Sequence, residues 1–146
     1  MKITGKKILL FTVVLLSLIG LIFAAIYLKR VADYKKAVKE TTFSGIDICN
    51  IPNGIYVGEY DVDFVYAKVE VTVRNGIITN IDILEHQNGR GGPAEIVADR
   101  MIEEQKIDVD IVAGATNSSI VIKKAVENAL KGENEDIIQD VMKNKR

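Results

Sequence analysis

Ten consecutive residues, Asp110-Ile111-Val112-Ala113-Gly114-Ala115-Thr116-Asn117-Ser118-Ser119, gather the side chains in this chain best suited to chemistry. Apolar residues at helical spacing follow them, so a helix is expected to start here. A helix start presents unpaired N–H groups and a partial positive charge, which stabilise an anion such as a phosphate. Gly114 and Ala115 would let a bulky group approach the backbone, and Thr116 supplies a hydroxyl at the same point. The same residues also suit plain helix capping, because Thr116, Asn117 and Ser118 are all good capping types. On the residues alone both readings stand. A threonine hydroxyl is a weak nucleophile that needs an activating base, and no His or Cys lies near Thr116 in the sequence.

A second cluster is His86-Gln87-Asn88-Gly89-Arg90-Gly91-Gly92-Pro93. Three glycines permit close backbone approach, and Arg90 has the geometry to pair with a phosphate. The alternative is a flexible connection from strand to helix. His86 is the only histidine and reads as a polar strand-end residue rather than a base or metal ligand. Cys49 has no partner and is assigned no role, and no metal-ligand spacing occurs.

The elements that must position these clusters can be read from periodicity. Residues 54–61 form the first expected strand. In residues 65–74, Val65, Ala67, Val69, Val71 and Val73 alternate with Tyr66, Lys68, Glu70, Thr72 and Arg74, so one face is buried and the other wet. Residues 77–86 form a third strand, with Ile77, Ile81 and Ile83 on one face. A two-residue Asn75-Gly76 loop would pair Arg74 with Ile77 and put the two apolar faces on opposite sides of the sheet. A three-residue loop ending at Gly76 pairs Val73 with Ile77, Val69 with Ile81 and Ala67 with Ile83, and is the expected arrangement.

Two amphipathic helices follow. Pro93 suits a first helical position, and Ala94, Val97, Ala98 and Met101 share a face. The second helix, about residues 117–130, carries an apolar stripe of Ile122, Ala125, Val126, Ala129 and Leu130, with Lys123, Lys124, Glu127 and Asn128 expected in solvent and Gly132 at its end. Residues 133–146 read as a short helix or a tail. The expected class is α+β: an antiparallel sheet with two or three packed helices, preceded by one transmembrane helix.

That first helix is residues 8–28, ILLFTVVLLSLIGLIFAAIYL, without a charge. About 21 residues at ~1.5 Å rise span a hydrocarbon core of roughly 30 Å. A signal peptide would have a shorter apolar core and end at a small-x-small site; Ile26, Tyr27 and Leu28 instead carry the run past Ala24 and Ala25. Residues 1–7 are a short basic tail and residues 29–50 a stalk; residues 51–132 are the folded domain. Lys2, Lys6 and Lys7 precede the helix, and Lys29, Arg30, Lys35, Lys36 and Lys39 follow it, so charge alone does not orient it. A net charge of −1 over 146 residues, with no basic patch, excludes a nucleic-acid-binding signature. A single Cys leaves the redox compartment open.

The pattern Asn53-Gly54, Tyr56, Gly58-Glu59, the strand ending Ile81, Ile83-Leu84-Glu85-His86, and Asp110-x-Val112-Ala113-Gly114-Ala115-Thr116 resembles FMN-binding domains. These include the covalent flavin subunits of the sodium-pumping NADH:quinone reductase and of its ferredoxin-coupled relative. The resemblance covers roughly residues 53–131 and is nearer to the small stand-alone domains. It implies FMN joined through its phosphate to the Thr116 hydroxyl by a separate magnesium-dependent flavin transferase with FAD as donor. The chain departs from the pattern at Ala113, where Ser or Thr is usual. Thr116, Gly114, Ala115, Asn117, Ser118 and Asp110, with Arg90 and Gly91 of the glycine loop, form the expected cofactor-binding set.

What the resemblance implies is a redox carrier or subunit rather than a stand-alone enzyme, since no acid–base pair or nucleophile set for a substrate is visible. Its partners would be the flavin transferase, membrane lipid, and a membrane dehydrogenase or quinone-linked redox partner, with the domain on the extracytoplasmic side. The other readings are a reversible FMN-binding subunit of a flavin reductase and a flavin-free membrane-tethered regulatory module.

Overall fold

Alternation in the second strand sets the core. The computed structural model describes residues 5–89 and 91–132, and within it Ala67, Val69, Val71 and Val73 are all fully buried. Each such valine contributes ~1.5–3 kcal/mol relative to an exposed one. Arg90 and the expected C-terminal helix or tail at 133–146 lie outside the described residues.

The chain divides into two compact units between Lys36 and Ala37. The first holds most of α1 (Gly5–Glu40). Its apolar window has a mean hydropathy of 2.9 and none of it is buried within the protein. The helix is long and apolar enough to cross a membrane.

The second unit is the α+β domain expected from the sequence. Strands β1 (Gly54–Asp61), β2 (Tyr66–Arg74) and β3 (Ile77–Gln87) form an antiparallel meander in the order β1-β2-β3. A 3₁₀ turn (Gly92–Glu95) leads into α2 (Ile96–Glu104), and α3 (Thr116–Lys131) follows. Helix α3 packs on β1 and β2, and α2 on β3. The approach of α3 is close because Gly58 has no side chain: a Cβ there would overlap the carbonyl of Ala125 and the N–H of Ala129. The expected stripes are buried, with Ala94 in the 3₁₀ turn, Val97, Ala98 and Met101 on α2, and Ile122, Ala125, Val126, Ala129 and Leu130 on α3.

The hairpin register differs from the expected three-residue loop. Arg74 pairs with Ile77 across a two-residue Asn75-Gly76 turn, with φ of 54° and 70°. These are the left-handed values a tight primed hairpin turn requires, and glycine takes its share without steric cost. The face conflict is resolved by irregularity in β3 rather than by the turn. Register shifts at Thr72/Val73 and Lys68/Val69 leave Thr79 and Leu84 without partners, so Val71 pairs with Ile81, Val69 with Ile83 and Ala67 with His86. A bulge inserts one residue and returns side chains to the required face. Gln105, left-handed at the end of α2 with φ 50°, braces the first bulge. Its side-chain carbonyl accepts from the N–H of Ile78, and its amide donates to the Ile78 carbonyl, both at 2.8 Å.

The polar face expected for α3 is also corrected. Lys123 and Glu127 are 3% and 1% exposed, not solvated. Residues 41–44, read above as stalk, lie against α3. The backbone N–H and hydroxyl of Ser44 both donate to Glu127 Oε1 at 2.6 Å, and Lys124 Nζ donates to Oε2 at 2.6 Å. Lys123 Nζ donates to Asp108 Oδ1 and to the Val109 carbonyl, each at 2.7 Å, and sits 4.6 Å from the centre of the Phe43 ring. Two charges can be buried here because each is surrounded by partners.

Candidate functional site

Thr116 is the first residue of α3 and is exposed. The turn before it is built by the backbone: Gly114 has φ 80° and the Ala115 N–H donates to the Val112 carbonyl at 3.0 Å. Ala115, buried, is the N-cap residue and has no side-chain group to cap the helix. Thr116, Asn117 and Ser118 lie inside the helix, so capping by their side chains is not how it starts. Ser119 organises the turn instead. Its fully buried hydroxyl accepts from the Val112 N–H at 3.1 Å and donates to the Ala115 carbonyl at 2.9 Å. That leaves a helix start without an N-cap side chain, with Thr116 exposed at its first position.

The two sequence clusters meet at Gly91 and Ser118, both buried. A Cβ on Gly91 would overlap the Ser118 hydroxyl and lie 2.6 Å from Ser118 Cβ. The glycine loop is therefore pressed against the first turn of α3. It is held there by Asn88, whose side-chain carbonyl accepts from the Gly91 N–H at 2.8 Å, and by the Gly91 carbonyl, which accepts from the Ala94 N–H at 2.8 Å. Asn117 is half-buried beside this contact. Asp110 is exposed, and its carbonyl accepts from Arg100 Nη1 at 2.9 Å. Arg90, between Gly89 and Gly91, falls outside the described residues.

His86 closes the other side of the loop. Paired with Ala67, it points to the helix-covered face, and its side chain is 3% exposed. Nδ1 lies 3.1 Å from Glu95 Oε1, and since a carboxylate only accepts, Nδ1 carries the hydrogen. Nε2 is buried with no hydrogen-bond partner among the described residues. Leaving such an atom unpaired costs ~1–3 kcal/mol. Periodicity alone could not place this side chain, because the bulge at Leu84 decides which face residue 86 takes. Ser119 carried a weaker signal: a serine four residues into a helix is placed to bond back to the preceding turn.

A pocket of about 190 Å³ lies elsewhere, lined by Phe43, Ile46, Ile107, Asp108 and Glu127. Glu127 is ~16 Å along α3 from Thr116 at ~1.5 Å per residue, and no expected cofactor residue lines this pocket. Among the described residues no group of His, Cys, Asp and Glu could hold a metal ion.

In class, the folded unit is a small α+β domain whose glycine loop and helix start form one surface. The family follows from comparison: residues 66–131 match the family model of the FMN-binding domain. The match supports an FMN-binding domain of that family within the folded unit and indicates FMN as its cofactor. The match covers β2 to α3 and leaves β1 outside it. Neither a curated protein nor a solved structure gives a significant match. The residues present fit the cofactor: an exposed threonine at a helix start for its phosphate, the buried Gly91 alongside, and a buried nitrogen, His86 Nε2, unpaired among the described residues.

Proposed function

We propose that this protein is a membrane-anchored electron carrier whose FMN is esterified through its phosphate to the Thr116 hydroxyl. The observation that carries the reading is the meeting of Gly91 with Ser118, which places the glycine loop beside the first turn of α3 where Thr116 is exposed. FMN supplies reversible one- and two-electron chemistry when bound. The chain contributes position and electrostatics. The start of α3 faces the phosphate with its partial positive charge, and Ser119 fixes the turn so that Thr116 stays exposed.

No base stands beside Thr116 in the sequence, so the activating base belongs to a flavin transferase acting in trans. In that step the Thr116 oxygen loses its proton and bonds the FMN phosphorus of FAD, and AMP departs. Covalent attachment suits a carrier on the extracytoplasmic side of the membrane, where released FMN would be lost to dilution. Helix α1 is the anchor, and a membrane dehydrogenase or quinone-linked protein is the electron partner.

Intact-mass analysis with in-gel flavin fluorescence, after co-expression with a flavin transferase, tests this. The expected result is a mass gain of one FMN less water on the peptide containing Thr116. Bound flavin that is released on denaturation would leave reversible binding as the function.

A further inference from the structure

The geometry points to His86 as a residue that hydrogen-bonds the bound FMN through Nε2, with Glu95 positioning the imidazole. The inference rests on the placement of FMN at the start of α3 and adds the group that contacts the cofactor away from its phosphate.

Three observations lead there. The imidazole is nine-tenths buried or more, yet Nε2 has no partner among the described residues. Buried polar atoms are paired in native proteins, and an exception marks a missing water, ion or ligand. The other ring nitrogen is committed to Glu95 Oε1 at 3.1 Å, so the ring is held in one orientation. A carboxylate on Nδ1 also selects the tautomer, leaving Nε2 of the neutral ring with a lone pair directed away from Glu95. The group it would accept from is a donor, and FMN offers one on the isoalloxazine ring and others on the ribityl chain.

Position supports the same assignment. Glu95 ends the 3₁₀ turn that begins at Gly92, and the Gly91 before it rests on Ser118. At ~2 Å rise per residue, Glu95 lies within roughly 8 Å of Gly91 along the turn. The imidazole therefore flanks the loop whose other side meets the α3 start. A cofactor with its phosphate at Thr116 and its body across the Gly91 loop would run toward Nε2. The Glu95 side chain, 53% exposed, forms the outer wall of this dyad.

The chain holds one histidine, so ¹⁵N-histidine labelling reports on His86 alone. The full chain in detergent micelles is compared with and without FMN loaded by a flavin transferase from FAD and magnesium, with loading read separately by intact mass. Expected is a shift of the Nε2 resonance on loading, with Nδ1 little changed. In parallel, free FMN is titrated without transferase by fluorescence quenching. His86→Leu is expected to raise Kd about tenfold, the worth of one hydrogen bond, and Glu95→Gln, which keeps an acceptor, to raise it less than Glu95→Ala. Loaded protein with an unmoved Nε2 resonance overturns the inference and leaves the flavin carrier standing. A wild-type chain that takes up FMN by neither route overturns the placement of FMN on which both rest. The resonance test uses the wild-type chain and so holds even where His86→Leu does not fold.

Discussion

Gly91 packs directly on Ser118, so closely that a methyl group at position 91 would overlap the serine hydroxyl. The contact joins a loop after β3 to the first turn of α3, 27 residues later in the chain. Gly91→Ala should therefore separate the two and weaken FMN uptake, with a stability loss of ~1–3 kcal/mol from overpacking. Ser118→Gly in the same chain should recover part of both losses. Thermal melting and flavin loading of the single and double variants check this; full loading of Gly91→Ala would show that the contact is not needed for the site.

Thr116 is exposed and makes no side-chain hydrogen bond among the described residues, so Thr116→Val should abolish protein-linked flavin while changing stability by less than ~0.5 kcal/mol. Ser119→Ala should do the reverse. Its hydroxyl ties Val112 to Ala115, and losing both bonds should cost ~1–3 kcal/mol and loosen the turn that presents Thr116. Denaturing gels read under ultraviolet light separate the two effects.

Glu127 is a third test. Burial pushes its carboxyl up, but hydrogen bonds from Lys124 and from the Ser44 hydroxyl and N–H, with the Lys124 charge, outweigh burial and hold it at about 2, below its ordinary 4.5. A depressed folded pKa means that the ionised form stabilises the fold above about pH 4.5 and that this contribution fades as pH falls toward about 2. Acid titration of the wild-type chain should thus show a stability loss in that window, reduced in Glu127→Gln. Ser44→Ala should cost ~1 kcal/mol at neutral pH and shift the acid transition upward.

Tyr66 gives an alkaline counterpart. Burial, the hydrogen bond to Glu59 and the charges of Glu59, Glu85 and Asp61 push its hydroxyl up to about 12. Its raised value means that stability is fully present below about 10 and is lost as pH rises through about 12. Ultraviolet titration should therefore show a late tyrosine step that is absent in Tyr66→Phe.

Gly58→Ala is expected to destabilise the domain more than Gly89→Ala. The first Cβ would strike backbone atoms of α3, and the second meets nothing within 4 Å. Equal melting temperatures for the two would show that α3 can retreat from β1 without loss.

Local patterns in the sequence determined a good deal. An uncharged, mostly apolar run of 21 residues, strict alternation in β2 and helical spacing in α2 and α3 are each legible within one element, and the α+β class and the buried stripes follow from them. The Gly-Ala-Thr run at the start of α3, taken together with the Asn53–Glu59 pattern and the strand ending at His86, was enough to indicate FMN. Tertiary structure alone decided the rest, because those features depend on which distant segments meet. The sequence could not show that β3 would solve its register conflict with bulges at Thr79 and Leu84, and so could not show that His86 would turn inward. Nor could the polar look of Lys123 and Glu127 reveal their burial, which exists only because residues 41–44 and 108–109 bring them partners. A side chain's period says which way it points; what it meets there is set by segments far away in the chain.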